Sequence, residues 1–333
     1  MDGMRFRSLC ANMDRLSVEQ IRELRRKLRA LDARREVLAR IDARGQALEC
    51  CIHCGASALV RWGSTRTGLQ RLCCKACGRT FSAASGTVVA RVRLPEKLQQ
   101  VLADMLAPVP SSCRGLAARL GIDKMTVWRW RAGILKALDG IGAQRLGGIV
   151  EADETYMRES RKGSREWVNH ARDPQHFPAP PRPRWRDFRQ LGLLRPAGLS
   201  KWQIPILTLA DRAGARRAER LPDRRAESLV AVLEARISRD AVLCSDRDGA
   251  YDLFARARGL PHYRLDAARG PRVIQAAFHI QTVNNMHSRF KAFMGPFCGP
   301  ATKYLPAYLA WFIARLADEP TAQNEAWQKI LAA

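Results

Sequence analysis

Cys51-Ile-His-Cys54 and Cys74-Lys-Ala-Cys77 are separated by nineteen residues. Two C-x-x-C turns at this distance offer a zinc ion four thiolates, two from each turn, with the intervening chain folding the second turn back onto the first. Gly55 and Gly78 follow the two turns, where the backbone must reverse and a side chain would obstruct it. The competing chemistry, a disulfide framework, suits a short secreted chain. This one has 333 residues, no signal peptide and enough length to bury a core without staples. Cys10, Cys50, Cys73, Cys113, Cys244 and Cys298 show no framework spacing and read as free thiols. Cys50 and Cys73 each precede a turn by one residue and leave a shifted register open, but the set Cys51, Cys54, Cys74 and Cys77 keeps the two turns symmetric. A structural Zn2+ held by reduced thiols points to the cytoplasm.

A second set of residues is oxygen-based. Asp153 sits inside the strand-like run Ile149–Met157, where a carboxylate is costly unless it is exposed or paired with a cation. Glu151 shares its face of the strand and Glu154 takes the other. Asp246 follows the apolar strand Ala241–Ser245, at a carboxyl end of the kind where α/β sheets place ligands. Asp248 is two residues further on, but Asp-Gly ahead of a helix is ordinary cap chemistry, so Asp246 is preferred and Asp248 stays as the alternative. His279-Ile-Gln-Thr-Val-Asn284-Asn285 opens a helix that also carries Arg289 and Lys291. Two aspartates on neighbouring strand ends, with an oxygen ligand from a later helix, would hold Mg2+, or Mn2+ in its place. A pair of such ions about 3.5–4 Å apart serves phosphoryl transfer by activating the nucleophile and stabilising the leaving oxygen. The plainer reading of isolated aspartates is as caps and turn residues.

These residues need elements to hold them. Lys and Arg number 57 against 32 Asp and Glu, a net charge of +25 that fits a polyanionic partner. The longest apolar stretch, Tyr304–Leu316, contains Pro306 and Arg315 and is too short to cross a bilayer, which favours nucleic acid over a membrane. Residues 1–47 form a basic N-terminal helix that starts at the capping box Ser17-Val-Glu-Gln20. Its apolar line Ile21, Leu24, Leu28, Leu31 and Leu38 reads as packing on its own domain or, more pointedly, as a short self-association seam with Arg35 at a seam position. Residues 48–90 are a zinc ribbon with strands at Leu59–Trp62 and Leu69–Leu72, and Arg61, Arg71, Lys75 and Arg79 make it a candidate DNA contact. Residues 91–146 hold a helix-turn-helix: Ser112 caps Cys113–Leu120, Gly121 turns the chain, and Asp123 caps Lys124–Leu138. Leu116, Ala117 and Leu120 would pack on Val127 and Ile134, leaving Lys124, Thr126, Arg129 and Arg131 for DNA. Residues 147–318 are α/β, interrupted by a Pro/Arg-rich insertion at 172–199, and 319–333 form a C-terminal tail.

Several of these segments resemble a known family. Asp-Glu-Thr-Tyr at 153–156, Ser160-Arg-Lys-Gly163 and Val242-Leu-Cys-Ser-Asp246 are similar to bacterial insertion-sequence transposases with a DDE-type core. His279–Asn284, His287-Ser-Arg-Phe-Lys291, Ala301-Thr-Lys-Tyr-Leu305 and Tyr308-Leu-Ala-Trp311 narrow the resemblance to the ISXO2-like family, in the subgroup where asparagine replaces the third acidic residue. The resemblance implies a multidomain chain: a zinc ribbon and helix-turn-helix, then an RNase H-like catalytic domain. It also implies catalytic positions at Asp153, Asp246 and Asn284 with an associated Lys291, Mg2+ as cofactor, and transposition at terminal inverted repeats by an oligomer on double-stranded DNA. Here the chain reads Ser-Asp-Arg-Asp-Gly where members read Ser-Asp-Gly, so the resemblance also leaves both aspartates in play. The alternatives are a DNA-binding regulator without chemistry and a catalytically decayed transposase.

Overall fold

Two helices open the chain, α1 (Gly3–Ala11) and α2 (Val18–Gln46). The Ser17 hydroxyl accepts the Gln20 N–H while the Gln20 side chain accepts the Ser17 N–H, closing the capping box that starts α2. The computed structural model describes residues 3–138, 145–179, 192, 203–266, 270, 272–316 and 319–332. They divide into two units, Met1–Ala137 with Gln323–Ala333, and Leu138–Ala322. The expected Pro/Arg-rich insertion lies outside the described residues except for 172–179 and Gly192. No described helix is long and apolar enough to cross a membrane.

In the first unit, β1 (Leu59–Ser64), β2 (Gln70–Cys74) and β3 (Thr80–Ser82) form an antiparallel sheet in that order. Three helices follow, α3 (Pro95–Leu106), α4 (Cys113–Leu120) and α5 (Lys124–Leu138). Ser112 caps α4, Gly121 ends it in the left-handed region at φ 61°, and the Asp123 carboxylate accepts the Met125 N–H at the start of α5. Leu116, Ala117, Leu120, Val127 and Ile134 are buried between these helices. The C-terminal residues are more than a tail. They form a helix over Glu319–Ala332 whose Ala326, Trp327 and Ile330 are buried, and the Trp327 indole donates to Gln99 of α3.

Arg131 does not face solvent. It is 6 % exposed and donates to Asp104 of α3 at 2.7 Å, a carboxylate that also accepts from Arg119 and from the N–H and hydroxyl of Ser111. The expectation that Arg131 is available to DNA is therefore corrected. It faces inward beside Val127 and Ile134, where a buried cation must be paired to be tolerated.

In the second unit, β4 (Ile149–Arg158), α6 (Glu166–Arg172), β5 (Gln203–Asp211), β6 (Arg216–Arg220), α7 (Ala226–Arg236), β7 (Val242–Ser245), α8 (Gly249–Arg258), β8 (His262–Arg264), α9 (Gln281–Met294) and α10 (Leu305–Ala314) follow one another. The helix over Glu319–Ala332 is thus α11. The five strands form one mixed sheet in the order β6-β5-β4-β7-β8. β4, β5 and β6 run antiparallel, while β7 and β8 run parallel to β4. Val150 and Ala152 of β4 pack with Leu229, Leu233, Tyr251 and Phe254 of α7 and α8 in the core on one face. The other face of β4 carries Glu151 and Asp153 toward α9.

Removing Arg131 leaves the buried Asp104 with Arg119 and Ser111 but without its buried cation, at the cost of a cavity and a lost charge-assisted bond. Arg131→Ala is expected to destabilise the first unit by about 3 kcal/mol in urea denaturation, while Arg129→Ala, at an exposed position, changes stability by less than about 0.5 kcal/mol. Equal effects would show that the Asp104 pair contributes nothing to the fold.

Candidate functional site

The four cysteines come together. Cys51 Sγ lies 3.8 Å from Cys77 Sγ, Cys54 Sγ lies 3.6 Å from Cys74 Sγ, and all four sulfurs fall within 4.8 Å of one another. A tetrahedral ion with Zn–S bonds of about 2.3 Å requires S···S edges of about 3.8 Å, so the set fits zinc in element and in size. Gly55 and Gly78 take φ of 75° and 70°, and each donates its N–H to the carbonyl of the first cysteine of its turn, Cys51 and Cys74. The N–H groups of Cys77 and Ala76 draw the Cys74 thiol down to about 7, while its neighbours Cys77 and Cys74 push the Cys54 thiol up to about 12, as when sulfurs this close share protons in place of a cation. Cys50 and Cys73 are outside the cluster, and among the described residues no other group of three or more His, Cys, Asp or Glu is gathered this tightly.

The carboxylates of the second unit are positioned by the β4–β7 ladder. Glu151 is abreast of Cys244 in the parallel register, so Asp153 and Asp246 stand two residues beyond that pair on neighbouring strands. Burial, then the charge of Asp246, pushes Asp153 up to about 7. Asp246 is itself raised, first by burial and then by the charge of Asp248. Glu154, on the opposite face of β4, is also pushed up to about 7, again first by burial. Crowded, partly desolvated carboxylates of this kind suit a hard divalent cation, which takes oxygen ligands and relieves their repulsion. Asp248 has other work: its carboxylate accepts the Ala250 N–H as the N-cap of α8, while Asp246 accepts the Asp248 N–H.

Helix α9 meets this face through two contacts that the sequence did not single out. Glu151 is 1 % exposed and accepts from the N–H groups of Thr282 and Val283, from the Thr282 hydroxyl and from Arg212. It caps a helix whose own N-cap, Ile280, has no side chain able to do so. One and a half turns on, His287 places Nδ1 3.7 Å from the Asp153 carboxylate and Nε2 2.6 Å from the Thr208 hydroxyl, which in turn donates to the Asp153 carbonyl. Burial, then the charge of Lys291, holds His287 down at about 4, so it is neutral near pH 7. Asn284 and Lys291 lie one turn to either side of His287 and are exposed. The Asn284 side chain makes no hydrogen bond to Asp153 or Asp246 among the described residues. A paired acid on the Asp153 face of β4 was the available signal for Glu151; for His287 there was none beyond its place in the α9 segment.

The basic candidates divide by exposure. Arg61, Lys75, Arg79, Lys124 and Arg129 are exposed, Thr126 is half-buried, and Arg71 is half-buried against the Thr80 hydroxyl at 2.9 Å. Trp62 and Trp128, beside Arg61 and Arg129, are 57 % and 52 % exposed and were not anticipated. Ser160 and Thr302, from two of the segments that carried the resemblance, are joined by a backbone bond of 2.8 Å and by the Thr302 hydroxyl accepting the Ser160 N–H.

Comparison with known proteins covers both units. The signature of the ISXO2-like transposase domain matches residues 145–315, about half of the chain and the whole of the carboxylate site. An uncharacterized protein in transposable element ISH50 of Halobacterium salinarum is 27 % identical over 282 residues, spanning 84 % of this chain and 90 % of that relative. The likeness is to the family at large, without restriction to its bacterial members.

An acid raised from 3.8 to about 7 keeps its proton in the native state over a range where the unfolded chain has lost it. The metal-free fold therefore loses stability as pH rises from about 4 to about 7 and is level above that. Asp153→Asn is expected to stabilise the protein in Mg2+-free buffer by on the order of 2 kcal/mol near pH 8 and by nothing near pH 4. Urea denaturation at the two pH values checks it, and a gain that is the same at both would rule out the titration.

Proposed function

This chain belongs to the ISXO2-like transposase family, and from that premise we propose that it binds the terminal inverted repeats of its insertion sequence and catalyses metal-dependent DNA strand cleavage and strand transfer. The observation that carries the reading is the pair Asp153 of β4 and Asp246 just past the end of β7, near enough for the charge of one to act on the other and both raised by burial, beside a helix face bearing Asn284, His287 and Lys291. The sheet order, three antiparallel strands followed by two parallel ones, supports an RNase H-like core. Asp153 and Asp246 would hold Mg2+, or Mn2+, with Asn284 as a neutral oxygen donor. The metal, when bound, supplies Lewis acidity to the attacking and leaving oxygens. His287, held by the Thr208 hydroxyl, lies beside the Asp153 carboxylate at 3.7 Å and, being neutral, adds no charge to the site. Lys291 faces solvent one turn beyond and offers positive charge to the scissile strand.

DNA recognition falls to the first unit in this reading. Zinc held by Cys51, Cys54, Cys74 and Cys77 orders the ribbon, whose Arg61, Lys75 and Arg79 face solvent with Lys124 and Arg129 of α5. Helices α4 and α5 with Gly121 between them act as a helix-turn-helix, with Lys124, Thr126 and Arg129 toward the groove. The family's duplex partner, its assembly on DNA and the cytoplasm as its compartment belong to the same proposal.

Strand cleavage with Mg2+ on duplexes carrying the element's ends tests it. Asp153→Ala and Asp246→Ala are expected to lower cleavage by roughly 10³-fold or more, and Asn284→Ala nearly as much, with end binding retained. Asp248→Ala is expected to cleave, because its carboxylate caps α8. Wild-type protein that binds the ends without cutting them would instead be a regulator or a decayed enzyme, and cleavage lost only in Asp248→Ala would move the second ligand there. For the ribbon, Cys54→Ser is expected to lose one zinc equivalent by metal analysis and to melt at a lower temperature than the wild-type protein. Wild-type protein that carries no zinc and melts identically in chelator refutes the site.

A further inference from the structure

Only half of α2 is docked. From Arg34 onward the helix is held: Arg34 reaches Glu96 and the Thr67 carbonyl, Val37 and Ile41 are buried, and Arg40 bonds Asn324. Before that point Ile21 and Leu24 are half-buried and Leu28 and Leu31 are 48 % and 50 % exposed. Their three-four-three spacing is that of a heptad seam, with Ile21 and Leu28 at a and Leu24 and Leu31 at d. Arg35, the next a position, is exposed and falls where the helix begins to dock, so it ends the seam and does not interrupt it.

The flanks of the seam carry a pairing code. Gln20 and Lys27 occupy g positions, and Arg25 and Asp32 occupy e positions. In a parallel, in-register pair each g residue faces the e residue five positions on in the other helix. Lys27, 3.5 Å from Glu23 of its own helix, then also meets the partner's Asp32 on both sides, and Gln20 meets the partner's Arg25 without repulsion. An antiparallel pair centred on the same seam sets Lys27 against the partner's Lys27. Arg22, Arg26 and Arg29 point away from the seam, and Arg26 is held by Glu23 of its own helix at 2.6 Å.

We propose that Val18–Asp32 of α2 is a self-association surface whose occupant is the same segment of a second copy of this chain, paired parallel and in register. The segment is a preformed helix anchored at its far end, so pairing orders little new backbone. Four apolar layers are few, which makes the dimer a weak one of micromolar affinity, strengthened when two copies share one DNA molecule. The pairing does not depend on cleavage chemistry and stands or falls separately from it.

Sedimentation equilibrium of the full chain, without DNA and across the micromolar range, tests the surface. The wild-type chain is expected to dimerise reversibly, and Leu28→Glu to raise the dissociation constant at least about tenfold with an unchanged thermal melt, because Leu28 is half exposed. Lys27→Asp and Asp32→Lys alone are each expected to weaken the dimer roughly threefold to tenfold, and the two together to restore it. A chain that stays monomeric throughout overturns the proposal, as does a dimer indifferent to Leu28→Glu. A dimer that Leu28→Glu breaks but the double charge exchange does not restore overturns the parallel register.

Discussion

The second unit is organised around one buried carboxylate. Glu151 sits in the middle of the sheet with almost no access to solvent, and its oxygens accept from Arg212 and from the first turn of α9. An unpaired carboxylate there would cost several kcal/mol, so the sheet and the helix must meet at this point or the fold does not close. Because Asp153 is two residues along the same strand face, fixing the start of α9 also fixes which residues of that helix look at Asp153. His287 is the one that touches it, with Asn284 and Lys291 a turn to either side. The acid next to Asp153 is thus a strut, and its chemistry is used up in holding the helix.

Charge is arranged oppositely at two scales. Across the whole chain cations outnumber anions by 25, yet β4 and the end of β7 bring Asp153 and Asp246 close, with Glu154 on the other face of β4 and a histidine held neutral beside Asp153. A basic exterior suits a polyanionic partner, whereas neighbouring carboxylates repel phosphate oxygens unless a cation stands between. The ribbon shows the same economy: two glycines in the left-handed region let two short turns face each other, and sulfur spacing follows from backbone geometry.

Much of this was legible in the sequence, for identifiable reasons. The cysteine spacing, the Ser17 and Ser112 caps and Gly121 are local signals, and the structure reproduces them with their hydrogen bonds. Strands β4 and β7 followed from the strand-like run at Ile149–Met157 and the apolar run at Ala241–Ser245. β6 did not, because Arg216-Arg-Ala-Glu-Arg220 is an edge strand whose charges protect it from mispairing and hide its periodicity. β3 is three residues long and gave no pattern to read. Arg131 failed as a surface residue because its partner, Asp104, lies 27 positions away on another helix, and helical periodicity says nothing about ion pairs between elements. Glu151 and His287 were hidden for the same reason: each owes its role to a contact across more than 75 residues of chain.

The first unit is discontinuous, because α11 returns to it after the whole α/β unit has intervened. Trp327, 1 % exposed and bonded to Gln99, fills a place between helices that are made early in synthesis. At elongation rates of about 5–20 residues per second, that place stays open for roughly 10–40 s while the intervening residues emerge. During this interval α3 carries an uncovered apolar surface and a Gln99 amide awaiting its indole. Completion of the basic unit is therefore timed by the ribosome, and a product cut short before Trp327 displays an incomplete one.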